Sequence, residues 1–198
     1  MKTIIKLYIS LISLSAYCQE GVIVPLNHSS DLDLLNGYYV KDIDNEFDSY
    51  VGTWQGTWGA TLETKTFTLE IEKITHYTNT SPNGDYNYKD FLIGKYTVKE
   101  TSTAIVITST MAIIDPSLAK LESINGPRNN YLPFNYFDID YCSVSGIVYL
   151  HRNLNNPNVL NYYFARGEFW ISQNCPYDEI YDVPIPIPTI NLTLSKIN

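Results

Sequence analysis

The sequence predicts an all-β protein, a single antiparallel meander that closes into a barrel or a barrel-like sandwich. Three observations carry that expectation. Seventeen of the 198 residues are tyrosine, and aromatic and β-branched side chains suit a pleated, half-buried surface. The stretch from Thr61 to Tyr77 alternates, with Phe67, Leu69 and Ile71 on one side and Thr66, Thr68, Glu70 and Glu72 on the other, as a sheet with one wet face requires. No segment keeps a helical period over three turns. At most one short helix is expected, near 116–123, where Pro116 can open a turn carrying Leu118, Leu121 and Glu122.

The elements follow in order. Gly37 to Lys41 reads as a short strand, and Tyr50 to Trp58 as the next, with Trp54 and Trp58 on one face by two-residue alternation. After Thr61 to Tyr77 comes a turn cluster, Thr78 to Asp85, in which Asn83-Gly84 signals a hairpin. The chain returns through Tyr86 to Glu100, where Phe91 and Ile93 face one way and Leu92, Gly94 and Tyr96 the other. Ala104 to Ser109 completes a meander. Asn125 to Asn130 is a loop by composition, and Tyr131 to Asp140, Gly146 to Arg152, Leu160 to Ala165 and Glu168 to Ser172 read as strands. Each proline of Pro184-Ile185-Pro186-Ile187-Pro188 lacks an amide donor, so this run is an extended approach to a last strand, Ile190 to Ile197. No repeat or linker interrupts the pattern, which gives one all-β domain over 19–198.

Residues 1–18 read as a signal peptide: Lys2 and Lys6, then an uncharged, largely apolar stretch from Leu7 to Cys18. That stretch falls short of the ~20 residues of a spanning helix, and no other segment is long and apolar enough to cross a membrane. Ala16-Tyr17-Cys18 suits ordinary cleavage before Gln19. A lipoprotein anchored at Cys18 is the alternative, disfavoured because Tyr17 stands where a small residue is wanted. The expected address is therefore periplasmic or secreted. Loss of Lys2 and Lys6 takes the basic residues from 13 to 11 against 21 acidic ones, a formal charge of −10. Such a chain has no electrostatic footprint for nucleic acid or anionic lipid.

Export leaves two cysteines, Cys142 and Cys175, in a compartment that permits oxidation. A bridge between them is expected and contributes about 3 kcal/mol by loop closure. No metal or cofactor is expected, since two cysteines without CxxC spacing and three isolated histidines, His28, His76 and His151, lack the clustering that zinc needs. Ser143-Val144-Ser145-Gly146 lacks the first glycine of a nucleophile elbow. Asp138 and Asp140 could share one strand face as a glycosidase pair, whose carboxyls stand ~5 to 9 Å apart, although Asp-x-Asp on a wet face also serves solvation. Asp42-Ile43-Asp44-Asn45-Glu46 starts like a calcium loop without its glycine and closing glutamate, and reads as a charged turn.

Two strings point to a family. Gly52-Thr53-Trp54 is a Gly-x-Trp of the kind that opens lipocalin barrels, where the indole closes one end, so the barrel is expected to be lipocalin-like. Together with the alternating Phe67, Leu69 and Ile71, the string Asp90, Leu92, Ile93, Gly94 and Tyr96, and the terminal strand Ile190 to Lys196, the chain resembles a family of small secreted proteins of Bacteroidota (flavobacteria) known only as a domain of unknown function. Trp58 and the proline run depart from that pattern. The resemblance implies a fold and an address, with the motif residues structural, and no activity. The functional expectation is a non-enzymatic binding module for a small apolar or amphipathic ligand. An envelope interaction protein with a filled core is the alternative, and a carboxylate-dependent glycan hydrolase stands third.

Overall fold

Alternating apolar positions fold into strands whose inward side chains make one core. The computed structural model describes residues 21–27, 36–60, 63–167, 175–179 and 182–198. Over these it forms β1 (Ile23–Pro25), β2 (Tyr39–Lys41), β3 (Gly52–Trp58), β4 (Lys65–Thr80), β5 (Tyr86–Glu100), β6 (Val106–Ser109), β7 (Leu121–Ser123), β8 (Tyr131–Asp138), β9 (Val144–Arg152), β10 (Val159–Arg166) and β11 (Leu192–Lys196). Short 3-10 turns at Glu46–Ser49, Pro116–Leu118 and Ile139–Tyr141 are the only helical segments among the described residues. Residues 1–18 with the expected signal peptide, His28 and the strand expected over Glu168 to Ser172 lie outside the described residues.

Eight strands form the expected barrel. From β3 through β4, β5, β7, β8, β9 and β10 to β11 each pairs antiparallel with the next, and β11 returns to β3 with Lys196 opposite Trp54. Closure removes the open edges that a flat meander would leave. Outside the barrel, β6 pairs with the far end of β5, and β1 and β2 add in parallel to its near end, Tyr39 opposite Tyr88. The hairpin at Asn83-Gly84 forms, with Gly84 at φ 87° and Gly84 N–H donating to the Ser81 carbonyl. The segment read as a short helix divides differently. Asp115 caps a 3-10 turn by accepting from Ser117 N–H, and Leu121 to Ser123 leave it as β7, which bridges β5 and β8.

The interior is filled by rings. Trp54, Phe67, Tyr96, Phe134, Tyr136 and Tyr162 are each at most 1 % exposed and belong to one cluster with the leucines and valines of β8 to β11. Phe67 packs edge-on against Tyr162 at 5.4 Å, and Tyr136 edge-on against Phe164 at 5.8 Å. Each such ring contributes about 1.5–3 kcal/mol by leaving water. Glycine supplies the matching hollows: a Cβ on Gly146 would stand 2.4 Å from a Phe164 ring carbon, and one on Gly94 would stand 3.0 Å from Leu121 Cβ. Phe91 and Ile93 are buried on the other face of β5 and lie outside this cluster.

Both mouths are closed. Where β3 begins, the turn Glu46–Ser49 buries Phe47 and is followed by buried Tyr50, whose carbonyl accepts from Trp54 Nε1–H at 2.8 Å. Where β10 ends, the proline run crosses the opening, with Val183 and Ile187 buried in the core cluster. Tyr162 donates to the Pro188 carbonyl at 2.9 Å, and Arg166 to that of Val183 at 3.4 Å. Cys142 and Cys175 are bonded beside this mouth, their Cα atoms 5.3 Å apart across a separation of 33 residues.

Candidate functional site

The motif residues all fall into the frame. Gly52 sits at φ 129° where the C-terminus passes, and a Cβ there would stand 2.6 Å from the Asn198 carbonyl oxygen. Thr53 exchanges backbone bonds with the same segment, donating to Asn198 at 3.0 Å and accepting from Ile197 at 2.8 Å. Lys196 Nζ lies 5.1 Å over the Trp54 ring and donates to the Val51 carbonyl at 2.7 Å. Asp90 is a clamp: its carboxylate accepts from the Tyr39 hydroxyl at 2.6 Å, from His76 N–H at 2.9 Å and from Asp42 N–H at 2.9 Å. His76 has φ 53° within the register shift between Ile74 and Tyr77, so Asp90 pins a bulge that bends β4. Burial, then the bond to Asp90, pushes the Tyr39 hydroxyl up to about 12. Leu92 N–H donates to Ser123 Oγ at 2.9 Å, Ile93 pairs opposite Glu122, and Gly94 admits Leu121. These contacts tie β5 to β7 and complete the closure.

The remaining carboxylates are also committed. Asp42 accepts from Glu46 N–H at 2.8 Å and Phe47 N–H at 3.2 Å and pairs with Lys73 at 2.7 Å, which makes its segment a capped turn. Asp138 and Asp140 do not share a strand face: β8 ends at Asp138, whose side chain is 0 % exposed, and Asp140 sits in the following 3-10 turn at 72 %. One ammonium, Lys120 Nζ, touches both, at 2.6 and 2.7 Å. Burial lowers the Lys120 pKa, and its bonds to the two carboxylates outweigh that and hold it above the ordinary lysine value. Asp138 also accepts from Tyr136 at 3.1 Å and Tyr96 at 3.4 Å. Burial above all keeps both phenols far above their usual range. No sugar ring fits between carboxyls bridged by one lysine. Among the described residues no three His, Cys, Asp or Glu side chains converge as a metal site, and no helix is long and apolar enough to cross a membrane.

The open surface tells more. Four depressions lie along the outside of the barrel, each sharing at least one lining residue with the next, and together they make up what we call the furrow. The first, about 410 Å³, lies at the β4–β5 hairpin and includes Asn36, Tyr38 and Tyr86. It shares Tyr38, Asn79 and Asn87 with the second, about 220 Å³, which runs beside the mouth capped by Phe47. The second shares Ile124, Asn125 and Gly126 with the third, about 260 Å³, which adds Arg128 and Tyr131. Tyr149 joins the third to the fourth, about 340 Å³, lined by His151, Asn161, Tyr163, Asn191 and Thr193.

Strand alternation places these side chains. In β8, β9 and β10 the odd-numbered positions point away from the core. Register then sets Tyr149 opposite Tyr163 and His151 opposite Tyr131 and Asn161. The Tyr149 ring stacks 6.0 Å from Tyr163 and meets Tyr131 edge-on at 6.1 Å. This outer face of β8 to β10, from Tyr131 to Phe137, Ser145 to His151 and Asn161 to Ala165, carries no Asp, Glu, Lys or Arg. The corresponding face of β4 and β5 carries Glu70, Glu72 and Lys95, with Lys95 paired to Glu72 at 2.7 Å. Among the charged groups along the furrow, Asp85 accepts from Asn36, Lys89 pairs with Glu122, and Asp90 is fully bonded, while Arg128 lies exposed. Sequence reasoning passed over Tyr149, Tyr163, Asn161 and His151. The available signal was a wet strand face rich in Tyr and Asn and empty of charge.

A closed eight-stranded antiparallel barrel with an aromatic interior and tyrosine-lined depressions outside is thus the class to which the chain belongs. By sequence it belongs to a family of unknown function (DUF6705), whose model matches residues 1–145. The match takes in β1 to β8, and β9 to β11 close the barrel beyond it. No curated protein matches the chain, and no solved structure does.

Proposed function

We propose that this chain is an exported, non-enzymatic binding module that engages its ligand in the outer furrow and not in the barrel lumen. One observation carries the reading: five tyrosines outside the core, Tyr38, Tyr86, Tyr131, Tyr149 and Tyr163, line the outer furrow, while rings fill the interior and both mouths are closed. Tyrosine offers large contact area at low entropic cost, and asparagine offers adaptable hydrogen bonding, the pairing that recognition surfaces favour. Export rests on the N-terminal sequence, Lys2 and Lys6 followed by the apolar stretch to Cys18. The filled interior favours surface interaction over carriage of a small apolar ligand inside the barrel, because a carrier needs an enclosed cavity of roughly 300 Å³ or more.

The test is independent of ligand identity. A library of polar and apolar fragments titrated into isotope-labelled protein is expected to shift the amides of Tyr38, Asn125, Tyr149 and Tyr163. Fragment hits clustered on Trp54, Phe67, Tyr96 and Tyr136 instead would place the site in the lumen and overturn the proposal.

A further inference from the structure

From the chemistry of the furrow we infer its ligand class: a neutral, hydroxyl-rich polysaccharide chain, laid along the furrow with sugar faces against Tyr131, Tyr149 and Tyr163. This rests on the furrow being the binding surface. Three properties select the ligand.

The first is the donor and acceptor set. The side chains of Asn79, Asn87, Asn125, Asn161 and Asn191 make no hydrogen bond with any other described residue. Each side-chain amide offers two donors and a carbonyl acceptor, the complement of a sugar hydroxyl, which donates and accepts at once. An apolar ligand would cover these amides and leave them unpaired, at the desolvation cost of a buried polar group.

The second is charge. Among the described residues, Arg128 is the one exposed cation lining the four depressions, on a chain of formal charge −8. Phosphate backbones need several cations to release their counterions, and a polyanion would meet the acidic excess of the whole protein. A neutral ligand meets no repulsion and needs no counter-charge.

The third is backbone availability. An extended peptide gains affinity from main-chain bonds to a sheet edge. Here the aromatic part of the furrow crosses the face of β8, β9 and β10, whose ladders are already closed: Pro133 to Tyr149 to Tyr163 is one paired row. A peptide there would find side chains but no free ladder. A pyranose presents C–H faces that pack on aromatic rings and hydroxyls at its rim, so it uses both halves of what the furrow offers. Four depressions in series suit a chain of several units rather than a single sugar.

The experiment is calorimetric titration of the protein with neutral hexasaccharides of β-1,4-glucan, β-1,3-glucan, mannan, xylan and α-1,4-glucan. Hexagalacturonate and an uncharged hexapeptide are the comparators, and the disaccharide of each neutral series is run beside them. At least one neutral hexasaccharide is expected to bind, more tightly than its disaccharide. Tyr149→Ala and Tyr163→Ala should each weaken it about tenfold, and Asn161→Ala about fivefold. Glu70→Ala on the charged face should leave it unchanged. Both tyrosines lie outside the core, and an unchanged far-ultraviolet spectrum will confirm that each variant is folded. Absence of binding by every neutral hexasaccharide at about 10 mM overturns the ligand class. If the hexapeptide or hexagalacturonate then binds and Tyr149→Ala abolishes it, the furrow stands and only the class falls. Glycan binding indifferent to all three furrow substitutions overturns the furrow as well.

Discussion

Replacing Asp138 by alanine should cost about 2–4 kcal/mol, on the order of the desolvation penalty of the buried polar groups that lose their acceptor. The figure follows from what the carboxylate holds. It is fully buried and accepts from Lys120, Tyr136, Tyr96 and the Asp140 backbone, at 2.6, 3.1, 3.4 and 3.1 Å. Alanine leaves the Tyr96 and Tyr136 hydroxyls only each other inside the barrel, and a buried hydroxyl that loses its acceptor costs about 1–3 kcal/mol. Lys120 is 18 % exposed and keeps Asp140, so its ammonium relaxes toward solvent and adds little. The loss would be a large share of the 5–15 kcal/mol typical of a folded domain. Asp140→Ala is the internal control, because its side chain is 72 % exposed and surface pairs contribute about 0–1 kcal/mol. Asp138→Ala combined with Tyr96→Phe and Tyr136→Phe should recover part of the loss, since no hydroxyl is then left unpaired. Urea denaturation at neutral pH reads all four proteins. Equal midpoints for Asp138→Ala and Asp140→Ala would refute the reasoning.

Three further outcomes follow. Gly146→Ala should lose about 1–3 kcal/mol by overpacking, because its Cβ would stand 2.4 Å from Phe164, a ring held edge-on by Tyr136, and 2.6 Å from the Ala165 carbonyl oxygen; adding Phe164→Leu should not restore the midpoint, since the backbone contact remains, and a neutral single variant would show that ring and backbone move aside. Cys142→Ser with Cys175→Ser should lower stability by about 2–4 kcal/mol, and free thiols at both Cys142 and Cys175 in the denatured protein would contradict the bridge. Burial raises the pKa of Tyr96, Tyr136 and Tyr162 on folding, so the native state keeps protons that the unfolded chain releases near pH 10. Stability should therefore hold below about pH 10 and fall above it by up to about 1.4 kcal/mol per pH unit for each of the three. A urea midpoint that stays flat to about pH 11, or a Tyr162→Phe variant with an undiminished slope, would count against this.

Much of the barrel was legible because its long strands alternate. β4 and β5 carry Phe67, Leu69 and Ile71 against Leu92, Gly94 and Tyr96, and two-residue periodicity assigns their faces without a structure. β1 and β7 escaped because three residues cannot show a period, and Leu118, Leu121 and Glu122 have helical spacing by chance. What makes Leu121 a strand residue is its partner Gly94, far away in the sequence. The proline run was correctly denied a place in the sheet, but its closure of a mouth depends on Tyr162 and Arg166, which lie on another element. The furrow was least legible of all. Tyr38, Asn79, Asn125, Tyr149 and Asn161 sit on different strands and loops, and only closure of the barrel brings them into line. The motif centred on Asp90 was recognisable as a motif, yet its role as the clamp of a bulge required the φ 53° of His76.

On the proposed reading the barrel is full and binding belongs to its outside. Calorimetric titration of delipidated protein with palmitate tests this most directly. No saturable heat is expected, because Trp54, Phe67, Tyr96 and Tyr162 occupy the lumen and Phe47 and Ile187 close its mouths. Saturable binding of one palmitate per chain, lost when Phe67 is replaced by a bulkier tryptophan, would show that the lumen opens and would contradict the account.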